Sequence, residues 1–235
     1  MRIGWRFRLI PFVVTVLLVA LGIALGQWQD RRAHEKLALQ AKMAQGALAA
    51  PLDLDGAPRD DLAFRRVRVR GQFVPGWTVY LDNRPYNGRA GFYVMMPLRI
   101  EGSTMHILVA RGWLARDMAQ RDRIAPYPTP TGAVTVEGVV KANMGRVMQL
   151  GEAAPVTSGA IVQNIDLAQL AKVSGLALQP FVLEQGASDI DTLVRDWPAP
   201  NLGVEKHQGY AFQWYALAGM ALLFFVFTGF KREPN

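Results

Sequence analysis

Apolar residues are concentrated at the two ends of this chain. From Leu9 to Gln29 no residue is charged, and Leu9 to Leu25 is built almost entirely from Leu, Val, Ile, Phe, Ala and Gly. A second uncharged run, Gln208 to Phe230, is rich in Phe, Leu, Ala and Trp. Each reaches the ~20 residues that a helix needs to cross ~30 Å of hydrocarbon. A core helix of a soluble protein keeps one polar face, and neither run has one over most of its span. The pattern predicts membrane helices over 9–29 and 207–230, short tails at 1–8 and 231–235, and an extramembrane domain over 30–206. A cleaved secretory signal is the competing reading of the first run, since Arg2, Arg6 and Arg8 form a positive leader and small residues lie near Gly22–Gly26. Its apolar stretch exceeds the ~7–15 residues of a signal core, which favours a retained anchor.

Between the runs the periodicity changes. Asp30–Ala49 has no proline and many helix formers, so the first helix is expected to continue into water. Pro51–Asp61 reads as a linker. Val67-Arg68-Val69-Arg70, continuing to Phe73, alternates with period two and predicts a half-exposed strand. Further strands are expected at Thr78–Asp82, Gly91–Met96, Met105–Arg111, Val134–Val140 and Phe181–Glu184. Turn signals separate them, among them Pro75-Gly76, Asn87-Gly88 and Glu101-Gly102-Ser103. Asp166–Ser174 reads as a helix that starts at Asp166 and stops at Gly175. Closely spaced strands joined by short turns favour a mainly antiparallel β (α+β) domain; barrel closure is left open at this level.

The chain has 235 residues and a net charge of +7, which taken alone invites a nucleic-acid reading. Position changes that picture. The excess bases lie at residues 1–8, 31–42 and 231–232, beside the spans, and the stretch from Met43 to Phe230 is almost neutral. Such bases meet lipid headgroups, so a bilayer rather than nucleic acid is the expected partner. Both termini fall on one side of the membrane, but five bases flank the spans on each side, so charge does not decide which. The absence of cysteine excludes disulfides, thiolate nucleophiles and Cys-ligated metal centres.

Enzyme chemistry is hard to build. No G-x-S-x-G elbow, P-loop, H-E-x-x-H or dinucleotide fingerprint occurs. The acidic pairs Asp53/Asp55 and Asp60/Asp61 sit in the linker as solvated charge. Arg68 and Arg70 share a strand face that reads as an exposed arginine ladder before it reads as an anion site. Of the three histidines, His34 lies among charged helix residues and His106 in a short strand. His207 stands at the head of the second uncharged run, with Tyr210, Ala211, Trp214 and Tyr215 at i+3, i+4, i+7 and i+8 on one helical face. An imidazole beside an aromatic wall at the edge of hydrocarbon suits an axial haem ligand. Interface anchoring by Tyr and Trp explains the same residues, and both readings stand. On the first run, Gly22 and Gly26 form a small-xxx-small pair that admits a close helix neighbour, in this chain or another.

Three blocks in order resemble the Surfeit locus protein one family, assembly factors of haem-copper cytochrome c oxidase. The first is Leu25-Gly26-Gln27-Trp28-Gln29 with Arg32 and Lys36. The second holds Arg66-Val67, Gly71, Phe73, Asn83-Arg84, Gly88, Gly91, Pro97-Leu98 and Val109-Ala110-Arg111-Gly112-Trp113. The third is Asn201, His207, Tyr210-Ala211 and Gln213-Trp214-Tyr215. The likeness runs from span to span. It departs at Ala110, where many members carry asparagine, and near Ala115, where many carry proline. The resemblance implies a two-span protein of the bacterial inner membrane, or the mitochondrial one, with the central domain on the periplasmic or intermembrane side. It implies a non-enzymatic role in maturing oxidase subunit I, with a haem a synthase as a further partner. It also implies haem a as a transient cofactor, His207 as iron ligand, and Tyr210 and Trp214 as pocket. Trp28, Gln29, Arg32, Asn83, Arg84, Arg111, Gly112 and Trp113 carry the partner-facing or structural motifs. A haem-free scaffold that stabilises an assembly intermediate is the alternative.

Overall fold

The computed structural model describes residues 5–57, 59, 62–149, 154–189, 191–199 and 202–232; Asp60, Asp61 and Asn201 lie outside them. Along the chain run β1 (Trp5–Phe7), α1 (Leu9–Leu48), β2 (Leu52–Asp53), β3 (Arg66–Phe73), β4 (Val79–Leu81), β5 (Gly91–Ile100) and β6 (Met105–Ala115). There follow β7 (Val134–Lys141), β8 (Ile161–Val162), α2 (Leu167–Ser174), β9 (Ala177–Gln185), α3 (Val204–Thr228) and β10 (Phe230–Arg232). Contacts group the chain into two compact units, Met1–Lys42 with Ala199–Asn235, and Met43–Pro198.

The first unit is a helix pair. With no proline after Pro11, α1 runs unbroken for 40 residues, about 60 Å, so its polar second half continues the apolar first half as expected. α3 has 25 residues, and both helices are long and apolar enough to cross a membrane. α3 begins at Val204, three residues before the predicted span. Its buried positions, Val204, Ala211, Ala218 and Phe225, recur every seven residues. On α1 the buried positions Thr15, Gly22, Gly26 and Ala33 lie seven, four and seven residues apart, again along one helical stripe. Two such stripes face each other as in a coiled-coil seam. Phe12 meets Phe225 at 5.6 Å between ring centroids, and a Cβ on Gly22 would stand 2.9 Å from Ala218 Cβ. Ascending numbers on α1 meet descending numbers on α3, so the pair is antiparallel. β1 and β10 extend the helices as an antiparallel ribbon, Trp5 opposite Arg232 and Phe7 opposite Phe230.

The second unit is a closed five-stranded barrel. The order is β3–β7–β9–β6–β5, and β5 returns to β3 through Gly71–Phe73 against Leu98–Ile100. Most pairings are antiparallel; β6 with β9 is parallel, as are the flanking pairs β2 with β3 and β4 with β8. Part of the expected linker is therefore sheet: Leu52 and Asp53 pair with Val67 and Arg68. Inside the barrel lie Val67, Val69, Phe73, Met96, Leu98, Ile107, Val109, Val136, Phe181 and Leu183. Outside, β4, β8 and α2 cover a second layer of Leu81, Tyr93, Met95, Leu108, Trp113, Leu170 and Val182. Asp166 caps α2 by accepting from Ala168 N–H, and Gly175 closes it in the left-handed conformation. β5 and β6 are buried on both faces, so they run further than the expected Gly91–Met96 and Met105–Arg111. Two-sided burial replaces alternation with a continuous apolar run, in which no periodic mark shows where a strand ends.

Candidate functional site

At the end of the helix pair nearer Ala33 and Val204, the first and third sequence blocks come together. His207 Nδ1 lies 2.7 Å from Gln29 Oε1, a part-buried contact across 178 positions of sequence. About two turns further into α3, the Tyr215 hydroxyl donates to Asp30 Oδ2 at 2.7 Å. The Tyr215 ring lies over Gly26, where any Cβ would stand 2.5 Å from it. The small-xxx-small pair thus serves the second helix of the same chain. His207 and Trp214 both belong to the three-four stripe facing α1 and are half-buried.

Trp214 also lines an apolar groove of about 390 Å³ with Leu18, Leu21, Leu217, Met220 and Phe224. Tyr210 is 52% exposed and stands off the seam. Trp28 is also largely exposed, with the Arg32 guanidinium 5.8 Å from its ring centroid and Arg32 paired to Glu35 at 2.8 Å. His34 is occupied by the Asp30 carbonyl at 2.8 Å, four residues back on its own helix.

An amide oxygen only accepts, so the His207–Gln29 contact places a proton on Nδ1, and in the neutral ring Nε2 is then the nitrogen that carries the lone pair. That is the form in which an imidazole ligates iron. Among the described residues no three His, Cys, Asp or Glu side chains gather to hold a bare metal ion. A haem brings four nitrogens of its own and asks the protein for one imidazole, so the donor set here fits a macrocycle better than a free cation.

The second block goes elsewhere, into the barrel unit. Val94 pairs with Gly112 and Met95 with Ala110, leaving Arg111 as the extra residue of a β-bulge. The bulge turns the residues after Arg111 to the other face, while Arg111 keeps the inward face of Ile107 and Val109, stacked 4.6 Å from the Phe73 ring centroid. There it ion-pairs with Asp191 at 2.6 Å and donates to Thr129 Oγ1 at 2.6 Å and Pro128 O at 2.9 Å. Arg195 reaches the other Asp191 oxygen at 2.6 Å. Gly112 takes φ +156, and a Cβ there would stand 2.7 Å from Leu193 Cβ. Trp113 then faces the outer layer and donates its indole N–H to Arg84 O at 2.6 Å.

Arg84 donates to Gly145 O and Gln163 O and lies over Tyr93. Burial lowers its pKa and raises that of Tyr93. Asn83 is exposed with left-handed backbone at φ +58, a turn position asparagine tolerates. In this structure Arg84, Arg111, Gly112 and Trp113 sit in packed contacts and Asn83 in a turn. Arg66 and Arg68 are tied to Glu137 and Arg70 to Glu101, so the expected arginine ladder is an ion-paired surface. Sequence reasoning missed Asp191 and Arg195, whose partner is 80 positions away for Asp191, in a segment with no periodic pattern. It also missed that Gln29 and Asp30 meet α3.

A closed barrel whose chain begins and ends in an antiparallel pair of membrane-length helices, with a half-buried imidazole on their seam, defines a class of membrane-anchored barrel proteins. The chain belongs to the SURF1 family, whose model matches residues 16–219. It is similar to a SURF1-like protein of Rickettsia bellii (strain RML369-C), 29% identical over 97% of this chain and 90% of the relative. It is also similar to Surfeit locus protein 1 of Mus musculus, 24% identical over 93% of this chain and 76% of that one. Over 42% of the chain and 26% of the relative it is 25% identical to the Cytochrome oxidase assembly protein SHY1 of Saccharomyces cerevisiae.

Proposed function

We propose that this protein is a membrane-anchored assembly factor for haem-copper cytochrome c oxidase, and that His207 gives haem a one releasable ligand while subunit I matures. Family membership and the name of the yeast relative support the oxidase role. The observation that carries the haem reading is the seam imidazole, half-buried with Nδ1 2.7 Å from Gln29 Oε1. Haem would supply the iron. His207 would hold it through Nε2, and Trp214 and Tyr210 would offer aromatic surface to the macrocycle. A single imidazole on a half-exposed helix end suits a cargo that must leave.

The chain acts here as a chaperone without a chemical step. The bacterial relatives support residence in an inner membrane; in this reading α1 and α3 are its spans and the barrel unit lies in the periplasm. Subunit I is the partner, with a haem a synthase as donor.

The test is the visible spectrum of the protein purified from cells that make haem a, wild type beside His207→Ala. The expected result is a haem spectrum that the substitution abolishes. Haem retained unchanged in the variant removes His207 as ligand. A wild type without haem under ample supply leaves the haem-free scaffold as the function. Reporter fusions at the C-terminus are expected to read cytoplasmic, and a periplasmic signal overturns the orientation.

A further inference from the structure

We infer that Gln29 is a positioning residue for haem capture: its amide oxygen fixes the tautomer of His207 and, by being neutral, keeps the imidazole a weak and therefore releasable ligand. The inference rests on the haem reading above and goes beyond it, because it assigns a function to a residue of the other helix. The Nδ1···Oε1 distance of 2.7 Å is short for a neutral pair, and both side chains are half-buried on the seam. The amide cannot easily swing away. Gly26, three residues earlier on α1, is clamped under the Tyr215 ring, and Asp30, the next residue, accepts from the Tyr215 hydroxyl at 2.7 Å. Helix register and rotation are thereby set within one turn of Gln29.

The two nitrogens of an imidazole are not equivalent, and whichever one donates a hydrogen bond decides that the other is free to ligate. An oxygen at Nδ1 makes Nε2 the ligand. The reverse orientation of the amide, with its NH₂ facing Nδ1, would place the proton on Nε2 and abolish ligation. The acceptor's charge matters as well. A carboxylate at this place would draw the Nδ1 proton and make the ring a stronger donor to iron, as in the carboxylate–histidine pairs of permanently metallated sites. Glutamine orients without strengthening. That distinction separates a carrier from a holder, and it explains why an amide rather than an acid faces this histidine.

The experiment uses the full chain in lipid nanodiscs with ¹⁵N-labelled histidine. The chain has only 3 histidines, and His207→Ala assigns one signal. Expected without haem is an Nδ1–H tautomer at His207 in the wild type and in Gln29→Glu, and a mixture of tautomers in Gln29→Leu. With haem a added, Gln29→Leu is expected to bind roughly ten- to a hundred-fold more weakly, the usual effect of losing such a partner. Gln29→Glu is expected to bind more tightly, release more slowly and lower the haem reduction potential. A merely structural glutamine would leave the His207 tautomer unmoved in Gln29→Leu, and Gln29→Glu guards against a Leu variant that fails to fold.

An Nε2–H tautomer in the wild type overturns the inference. So does a Gln29→Leu protein that matches the wild type in tautomer and potential while His207→Ala still loses haem; the haem reading then survives alone. A wild type that takes up no haem a overturns both.

Discussion

Inside the barrel unit, Arg111, Asp191 and Arg195 place two guanidinium groups around one carboxylate, each side chain 5% exposed or less. Removing water from three charges is costly, and the cluster persists because Arg111 also donates to Thr129 Oγ1 and Pro128 O and lies against two aromatic faces. The shared anion is its critical member. Asp191→Ala leaves two buried cations facing each other and is expected to cost about 3–5 kcal/mol, whereas Arg111→Met leaves Asp191 still paired with Arg195 and costs less. Guanidinium unfolding, read by amide exchange along β6 and β9, measures the two; an equal or reversed order refutes the argument. His106 gives the same unit a pH dependence. Burial, reinforced by Arg99 opposite it on β5, holds its pKa below the ordinary imidazole value of 6.5. The unfolded chain therefore binds that proton more tightly than the fold does. Stability from this group is full above 6.5 and is lost as pH falls through the folded value. His106→Gln, which does not titrate, is expected to flatten the loss of melting temperature between about pH 7.5 and 5.5.

At the scale of elements, two glycine positions carry more than their neighbours. On the α1–α3 seam, Gly26 has no room for a side chain beneath Tyr215. Gly26→Leu is expected to push the helices apart and break both the Tyr215–Asp30 and His207–Gln29 contacts. The cysteine-free chain accepts paired spin labels on introduced cysteines, so the widening is directly measurable; an unchanged distance defeats the prediction. At the bulge, Gly112→Ala meets Leu193 at a φ that L residues rarely adopt, with an expected cost of about 1–3 kcal/mol. The close approach was legible in sequence as Gly22 and Gly26, and the α2 caps as Asp166 and Gly175. The bulge was not. A one-residue register shift depends on the partner strand, and Arg111-Gly112-Trp113 read alone looks like a loop motif rather than the point where a strand changes the face it presents.

For the whole molecule, sequence and structure divide along a physical line. What depends on neighbours in the chain was readable: the two apolar runs, the continuation of α1 to Leu48, the half-exposed β3, and the location of the basic residues beside the spans. What depends on distant pairing was not. Barrel closure rests on Gly71–Phe73 meeting Leu98–Ile100, and the parallel β6–β9 ladder joins strands separated by β7, β8 and α2. The candidate site has the same character, since His207 stood out by position while its partner Gln29 was visible only as a motif residue. Closure carries a consequence for stability. Among the described residues, every member of the interior and outer apolar clusters lies within 43–198, and closing the sheet leaves only the short strands β2 and β8 at its edges. Residues 43–198 expressed alone should therefore fold as a soluble, monomeric barrel with one cooperative unfolding transition. It should show the same Asp191 and His106 effects as the full chain, because both residues have their partners inside that unit. It should bind no haem a, since His207 and Gln29 are outside it. A fragment that binds hydrophobic dye and melts without cooperativity would mean that the helix pair completes the barrel's core. Haem bound by the fragment would move the site from the seam of the spans to the barrel itself.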